Sequence, residues 1–431
     1  PEYFWGYNRM LTIDGLFGAG DTVGGSAHKF SSGSFTEGRL AAKAAVKYIE
    51  DKKAEGLKAE ANGIAKQIGG LYKEGKREAA DKLKGRSSEI KEELKGIQDE
   101  LNVLADKEFE LLVSLPNAPH ESVVAGRNEE DNVEVKRVGE IPTLIDGAVP
   151  HWDLTSRYKL IDFELGVKIT GAGFPVYTNK GARLQRTLIN YFLDQNTEAG
   201  YQEYIPPLFV NEASGFGTGQ LPDKEGQMYH MQEDNLYAIP TAEVPITNMF
   251  RDVIVKKDEL PIKCTAYTPC FRREAGSYGK DVRGLNRLHQ FDKVELVVVS
   301  EPEKSYATLN EMVNHVAGLL EALGLPYRIL RLCGGDIGFT SALTYDFEVY
   351  SAAQEKWLEV SSVSNFENFQ TNRLKLRYKD ENNKTQLCHT LNGSALALPR
   401  IMAALLENNQ TENGVNIPEC LVPYTGFNVI D

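Results

Sequence analysis

Two runs of apolar residues near the front of the chain constrain its fold more than any other feature. Leu57, Ala61, Ile64, Ile68 and Leu71 recur at steps of four, three, four and three, and Ile90, Leu94, Ile97, Leu101 and Leu104 repeat those steps. Alternating steps of three and four keep one stripe of a helix facing a partner, so both runs read as a coiled-coil seam. Between them lies GGLYKEGKRE, whose Gly69, Gly70 and Gly75 permit a chain reversal. The pattern predicts an antiparallel helical hairpin over residues 56–115. A second helix from 77 to 113 is roughly 55 Å long at about 1.5 Å per residue, the length of a projecting arm.

The whole chain carries a formal charge of −13, yet residues 66–95 hold nine Lys or Arg against six Asp or Glu. Charge alone leaves two readings open, a solvated coiled-coil surface or an arm that lies along a phosphate backbone. With 42% hydrophobic and 25% charged residues in 431, the composition is that of a globular protein of two or three domains. No apolar run approaches the roughly 18 residues of a membrane span, so no membrane partner is expected. The opening PEYFWGYNRM lacks the basic and apolar regions of a secretion signal. Five scattered cysteines, with no CxxC pair and no histidine pair at zinc-finger spacing, argue against structural zinc and fit a cytoplasmic setting.

The densest chemistry lies in YTPCFRREAGSYGKDVRGLNRLHQFDKVEL, residues 267–296. A strand, an arginine-rich loop and a returning strand direct Arg272, Arg273, Arg283 and Arg287 toward one cleft, with Glu274, Phe291 and Glu295 beside them. The planar guanidinium fork matches phosphate oxygens in pairs, and an aromatic close by can stack on a purine. Four arginines interleaved with glycines speak against the alternative of an exposed hairpin with surface ion pairs.

This stretch resembles motif 2 of class II aminoacyl-tRNA synthetases, and in its detail that of the seryl-tRNA synthetases. GARLQRTLINYFLDQNTEAGYQEYIPPLFVN resembles motif 1, which in the family builds the dimer interface. GTGQLP and YAIPTAEVPITN resemble the serine-binding loop and strand, WLEVSSVSNFENFQTNR the metal-binding strand, and HTLNGSALALPRIMAALLENNQ motif 3. The likeness covers about residues 57–431 and takes in the arm, which in the family grips the long variable arm of serine tRNA.

The resemblance implies an α+β fold, a class II antiparallel sheet flanked by helices and preceded by the coiled-coil arm. It places a linker at 116–140 and the catalytic domain at 141–431. It implies a dimeric serine–tRNA ligase with ATP, L-serine and serine tRNA as partners and Mg²⁺ as cofactor. Arg272 and Arg400 become the catalytic residues: Arg272 would hold the α-phosphate, while Arg400 would cover the adenine and hold the γ-phosphate. Glu274 would contact the adenine end, Phe291 would stack on the base, and Arg287 would add a phosphate contact. Glu359 and Ser362 would ligate Mg²⁺ as hard oxygen donors. Thr241, Glu243 and Glu295 would fix the serine ammonium and side chain, with Asn392 and Ser394 around its hydroxyl. Lys73, Lys76, Arg77, Lys84 and Arg86 on the arm would face tRNA. His289 reads as a structural hydrogen-bonder, Cys270 and Cys388 as core, and Val363 as a small hydrophobe where the family favours cysteine.

Residues 1–55 do not fit the family. YNRMLTIDGLFGAGDTVGGSAHKFSSGSFTEGRLAAKAAVKYIEDK resembles a piece of the adenylylsulfate reductase alpha subunit, a flavoprotein of the fumarate reductase type. There the GAGD turn, Gly18–Asp21 here, contacts the FAD ribityl–phosphate region, and Ser31–Ser34 would lie near the flavin ring. Val23 stands in the third glycine position and no complete βαβ unit surrounds the turn, so FAD is not expected. A chimeric reading frame and a genuine domain replacement both account for the segment. Back from Leu57 the seam reads as charged residues in EDKKAEG, and Gly56 is expected to interrupt the helix. A helix from Thr36 could still stand in as the first half of the arm with poorer packing, which predicts intact adenylation and weakened tRNA charging. The rival readings are a synthetase-like serine or ATP binder that charges no tRNA, and a flavin oxidoreductase fragment.

Overall fold

The computed structural model describes residues 31–223, 226–275 and 283–431, excluding the side chains of 31–46, 50 and 108. The glycine-rich turn at 18–21 lies outside the described residues. The chain divides into two compact units, Pro1–Pro116 and Asn117–Asp431.

In the first unit, α1 (Ser31–Lys73) and α2 (Arg77–Val113) form the hairpin. Gly75 closes the reversal at φ +78°, a left-handed conformation that favours glycine. Ile64, Ile90 and Ile97 are buried along the seam, while most positions between the seam residues are exposed. Gly56 does not interrupt α1. A lone glycine in a helix costs about 1 kcal/mol, and the packing of α1 on α2 outweighs it. At the first seam position behind Leu57, Ala54 is buried, three residues earlier. The Arg86 guanidinium bridges the helices, donating to Glu60 at 2.8 and 3.1 Å and to Glu93 on its own helix at 3.0 Å.

The second unit is built on an eight-stranded sheet. Its strands are β1 (Val133–Val138), β2 (Gln202–Glu203), β3 (Ile262–Phe271), β4 (Gln290–Ser300), β5 (Tyr327–Arg331), β6 (Leu343–Ser351), β7 (Lys356–Glu367) and β8 (His389–Ala397). The spatial order is β1-β5-β6-β7-β8-β4-β3-β2, antiparallel throughout except for the parallel β2–β3 pair. Residues 116–140, read as a linker, supply the edge strand β1, and the Asn117 amide donates to the carbonyls of Thr340 and Phe366 at 2.9 Å each. Glu134, Val135, Lys136 and Arg137 of β1 are all exposed, which suits a strand largely in water and gave little apolar signal.

Helices α3 (Asn179–Glu198), α4 (Glu243–Asn248), α5 (Ser305–Ala322) and α6 (Leu398–Asn408) flank the sheet. Met312 of α5 packs at Gly393 of β8, so α5 covers the face opposite Asn392 and Ser394. That alternation leaves the second face of β8 free to line a cleft. Cys270, Cys388 and Val363 are fully buried, as expected of small core residues. Among the described residues no helix is long and apolar enough to cross a membrane.

Candidate active site

A cleft of about 500 Å³ opens over the centre of the sheet. Its lining includes Arg272, Glu274, Arg287, Phe291, Glu359, Ser362 and Arg400, together with Thr241, Glu243, Asn392 and Ser394. The arginine-rich stretch is a strand–loop–strand, with Phe271 paired to Gln290 and Cys270 to Phe291 across β3 and β4. Residues 276–282 at its tip lie outside the described residues. The Arg272 Nε donates to the Pro240 carbonyl at 3.3 Å, and its guanidinium carbon lies 5.3 Å from the Phe291 ring centre. Glu274 adopts φ +49° and accepts from Arg287 at 3.2 Å. His289 is held at Nδ1 by the Tyr229 hydroxyl, 2.6 Å away, and its backbone N–H donates to Gly173.

Glu359 and Ser362 are three residues apart on β7, which in a regular strand would aim them at opposite faces. A bulge resolves this: Glu348 pairs with Glu359 but the preceding Phe347 pairs with Ser361, leaving Val360 as the extra residue. Ser362 Oγ therefore comes within 3.4 Å of Glu359 Oε1. Opposite Ser362 stands Asp346, one of whose buried oxygens has no partner among the described residues. Burial and the neighbouring Glu359 charge push the Asp346 carboxyl well above the carboxylate range. Two hard oxygens over a buried, unpartnered carboxylate oxygen form a donor set that fits a small divalent cation. Among the described residues no cluster of three His, Cys, Asp or Glu could hold a metal alone, so such an ion would need oxygens from a ligand and water. Arg400 stands at the start of α6, where Nη1 donates to the Glu359 carbonyl at 2.7 Å and Nε to the Asn286 carbonyl at 3.0 Å.

The other end of the cleft is a closed polar network. Phe291, Lys293 and Glu295 alternate onto one face of β4, and Glu295 links three partners. It accepts from Thr241 at 3.1 Å, from the Asn392 amide, and from the Lys293 ammonium at 2.5 Å. Glu243 opens α4, accepting from the Gln370 amide at 2.6 Å, and its backbone N–H donates to Thr241 Oγ1. Burial pushes the Glu243 carboxyl up to about 7, while the Gln370 bond pulls the other way. Glu295 sits behind the cleft wall, holding Thr241 and Asn392 that do line it. Arg273 and Arg283 do not line the cleft either, since the Arg273 backbone N–H is tied to the Gln227 carbonyl and Arg283 lies over the Trp152 ring.

Lys293, Asn286, Gln220 and Gln227 also line the cleft and were not singled out from the sequence. Lys293 carried a usable signal, a lysine two residues from each of two named positions on the same strand face. On the arm, Lys73 ends α1 and Arg77 begins α2, while Lys76 pairs with Glu74 at 2.9 Å. Lys84 pairs with Asp81 at 3.2 Å and lies over the Tyr72 ring at 5.0 Å.

A family model described as the seryl-tRNA synthetase N-terminal domain matches residues 41–119, starting ahead of residue 57 where the seam reading placed the likeness. A second, the tRNA synthetase class II core domain (G, H, P, S and T), matches residues 227–409. The chain is 53% identical over 368 residues to a serine–tRNA ligase of Salinibacter ruber, covering 85% of this chain and 86% of that one. It is 50% identical over 384 residues to the serine–tRNA ligase of Prosthecochloris aestuarii, covering 88% and 89%. Among solved structures, the seryl-tRNA synthetase of Pyrococcus horikoshii complexed with ATP superposes with a TM-score of 0.84 at 33% identity, over 92% of this chain and 95% of that one. Over both the arm and the sheet-borne cleft, the chain belongs to the seryl-tRNA synthetase family.

Proposed function

We propose that this chain is a serine–tRNA ligase that joins L-serine to ATP as seryl-adenylate and passes the seryl group to serine tRNA. The observation that carries the proposal is one cleft with cationic groups at one end and a closed carboxylate–hydroxyl network at the other. In the first step a serine carboxylate oxygen attacks the α-phosphorus, forming an acyl-phosphate bond as pyrophosphate leaves. No protein nucleophile is needed, so positioning and charge stabilisation carry the rate. Arg272 would hold the α-phosphate, Arg287 and Arg400 the outer phosphates, and Phe291 with Arg400 the adenine, whose edge meets Glu274. Glu359 and Ser362 would hold Mg²⁺, which supplies neutralisation of phosphate charge.

Glu243 and Thr241 would receive the serine ammonium and side chain, supported by Glu295, with Asn392 and Ser394 around the hydroxyl. Alanine would leave those buried groups unpaired, which favours serine strongly. In the second step a terminal ribose hydroxyl of the tRNA attacks the acyl carbon and AMP leaves. Lys73, Lys76, Arg77 and Lys84 on the arm would contact the tRNA backbone, with Arg86 bracing the arm through Glu60. Exposed Val167, Ile169 and Ile205 suit burial against a second copy, in keeping with a homodimer. Five free thiols suit a reducing cytoplasm. Serine-dependent ATP–pyrophosphate exchange, followed by charging of serine tRNA, tests the reading. Absence of exchange in a folded preparation rejects it.

A further inference from the structure

His151 and Glu407 are both fully buried, 256 residues apart, and bonded at 2.6 Å between Nδ1 and Oε1. The ring's other nitrogen, Nε2, accepts from the Leu285 backbone N–H at 2.9 Å. Because Nε2 accepts, Nδ1 carries the proton and donates to Glu407 in the neutral ring. Leu285 lies in the turn Arg283–Asn286, closed by the Asn286 N–H on the Arg283 carbonyl at 3.4 Å, and with Asn286, Arg287 and Leu288 it lines the cleft. Gly284 just before it has φ +65°, and a Cβ there would lie 2.3 Å from His151 Nε2, so only glycine lets the turn approach the ring. Gln354 closes the network, donating to Glu407 at 2.9 Å and accepting from the Asn286 amide at 3.0 Å. Arg283 lies over the ring of Trp152, beside His151, at 4.5 Å.

Arg400 and Glu407 are seven residues apart, two turns along one face of α6. The helix thus grips this turn twice, through Arg400 Nε to the Asn286 carbonyl and through Glu407 and His151 to the Leu285 N–H. We propose that the buried His151–Glu407 pair, completed by Gln354, is a positioning device that sets the Asn286–Arg287 segment against Arg400 and so tunes the ATP end of the cleft without touching substrate. Thr241, Glu243, Glu295 and Asn392 make no hydrogen bond to this network among those described, so the serine end is independent of it.

The proposal rests on the ligase reading, and its test separates the two. His151→Asn keeps a donor toward Glu407 but removes the acceptor for Leu285, whereas His151→Gln places an amide oxygen near the position of Nε2. ATP affinity by titration calorimetry and both KM values by pyrophosphate exchange are measured on the full chain. His151→Asn is expected to weaken ATP about tenfold, the worth of one buried hydrogen bond, with KM for serine within about twofold of the parent. His151→Gln is expected to recover most of the loss. Gln354→Ala, at a partly exposed side chain that leaves the core intact, is expected to weaken ATP several-fold. Equal rises in both KM values, no recovery in His151→Gln, or unchanged ATP affinity in folded Gln354→Ala would overturn the positioning role. If His151→Asn does not fold, Gln354→Ala decides alone. A parent chain that binds ATP without exchange rejects the ligase reading, and the ATP affinities still decide this one.

Discussion

The Gln370 amide donates to Glu243 at 2.6 Å, and it is the bond that opposes the effect of burial on that carboxyl. With its pKa raised from 4.5 to about 7, Glu243 changes charge near neutrality in the free protein. An ammonium pairs with the carboxylate form, so KM for serine is expected to rise as pH falls through 7, and Glu243→Gln to lose that dependence. The sign for stability is opposite. A raised carboxyl pKa gives stability that is complete below 4.5 and lost as pH climbs to about 7. Urea unfolding across that window is expected to show a slope that Glu243→Gln removes.

Arg272 is tethered by Nε to Pro240 and faces the cleft. Arg272→Ala is expected to lower the exchange kcat by about 10²–10³-fold, the usual cost of deleting one preorganised donor at developing charge. Arg272→Lys is expected to recover only part, because a point charge cannot reproduce the fork. Steady-state exchange kinetics check both.

Lys293 is buried against Glu295. Glu295→Ala strands that ammonium and is expected to cost about 3–5 kcal/mol of folding stability, measured by denaturant titration. Glu295→Ala with Lys293→Met is expected to recover much of the stability while exchange stays impaired.

Removing Lys73, Lys76 and Arg77 together is expected to raise KM for tRNA. The salt dependence of that KM is expected to flatten by about one unit of slope for each phosphate that is no longer neutralised. Arg86→Ala acts differently, since its donors are committed to Glu60, Glu89 and Glu93. It is expected to speed amide exchange along both arm helices.

The hairpin and the arginine-rich strand–loop–strand were legible because each depends on local spacing. Steps of three and four reveal a seam, and clustered guanidiniums reveal an anion site. What stayed hidden depends on long-range pairing. Gly56 reads as a breaker until α2 is packed beside it, and Ala54 is too small to announce itself as a seam residue. The 116–140 stretch shows little apolar signal because its strand lies exposed at a sheet edge. His151 and Glu407 are bonded across 256 residues, a relationship that no local pattern encodes. The carboxylate–hydroxyl pair at 359 and 362 came from likeness alone, since regular strand periodicity would have separated them.

The extra residue at Val360 makes that pair a matter of counting rather than of composition. Losing that one apolar codon would leave every cleft-facing acid, hydroxyl and arginine in the chain, and a comparison by residue identity would still score the site as whole. Yet the strand downstream would turn over by half a repeat, and Ser362 would face away from Glu359. The corner proposed to hold a divalent cation is therefore written in the parity of a strand, and it is open to loss by frame-preserving deletion at a position whose own side chain does no chemistry.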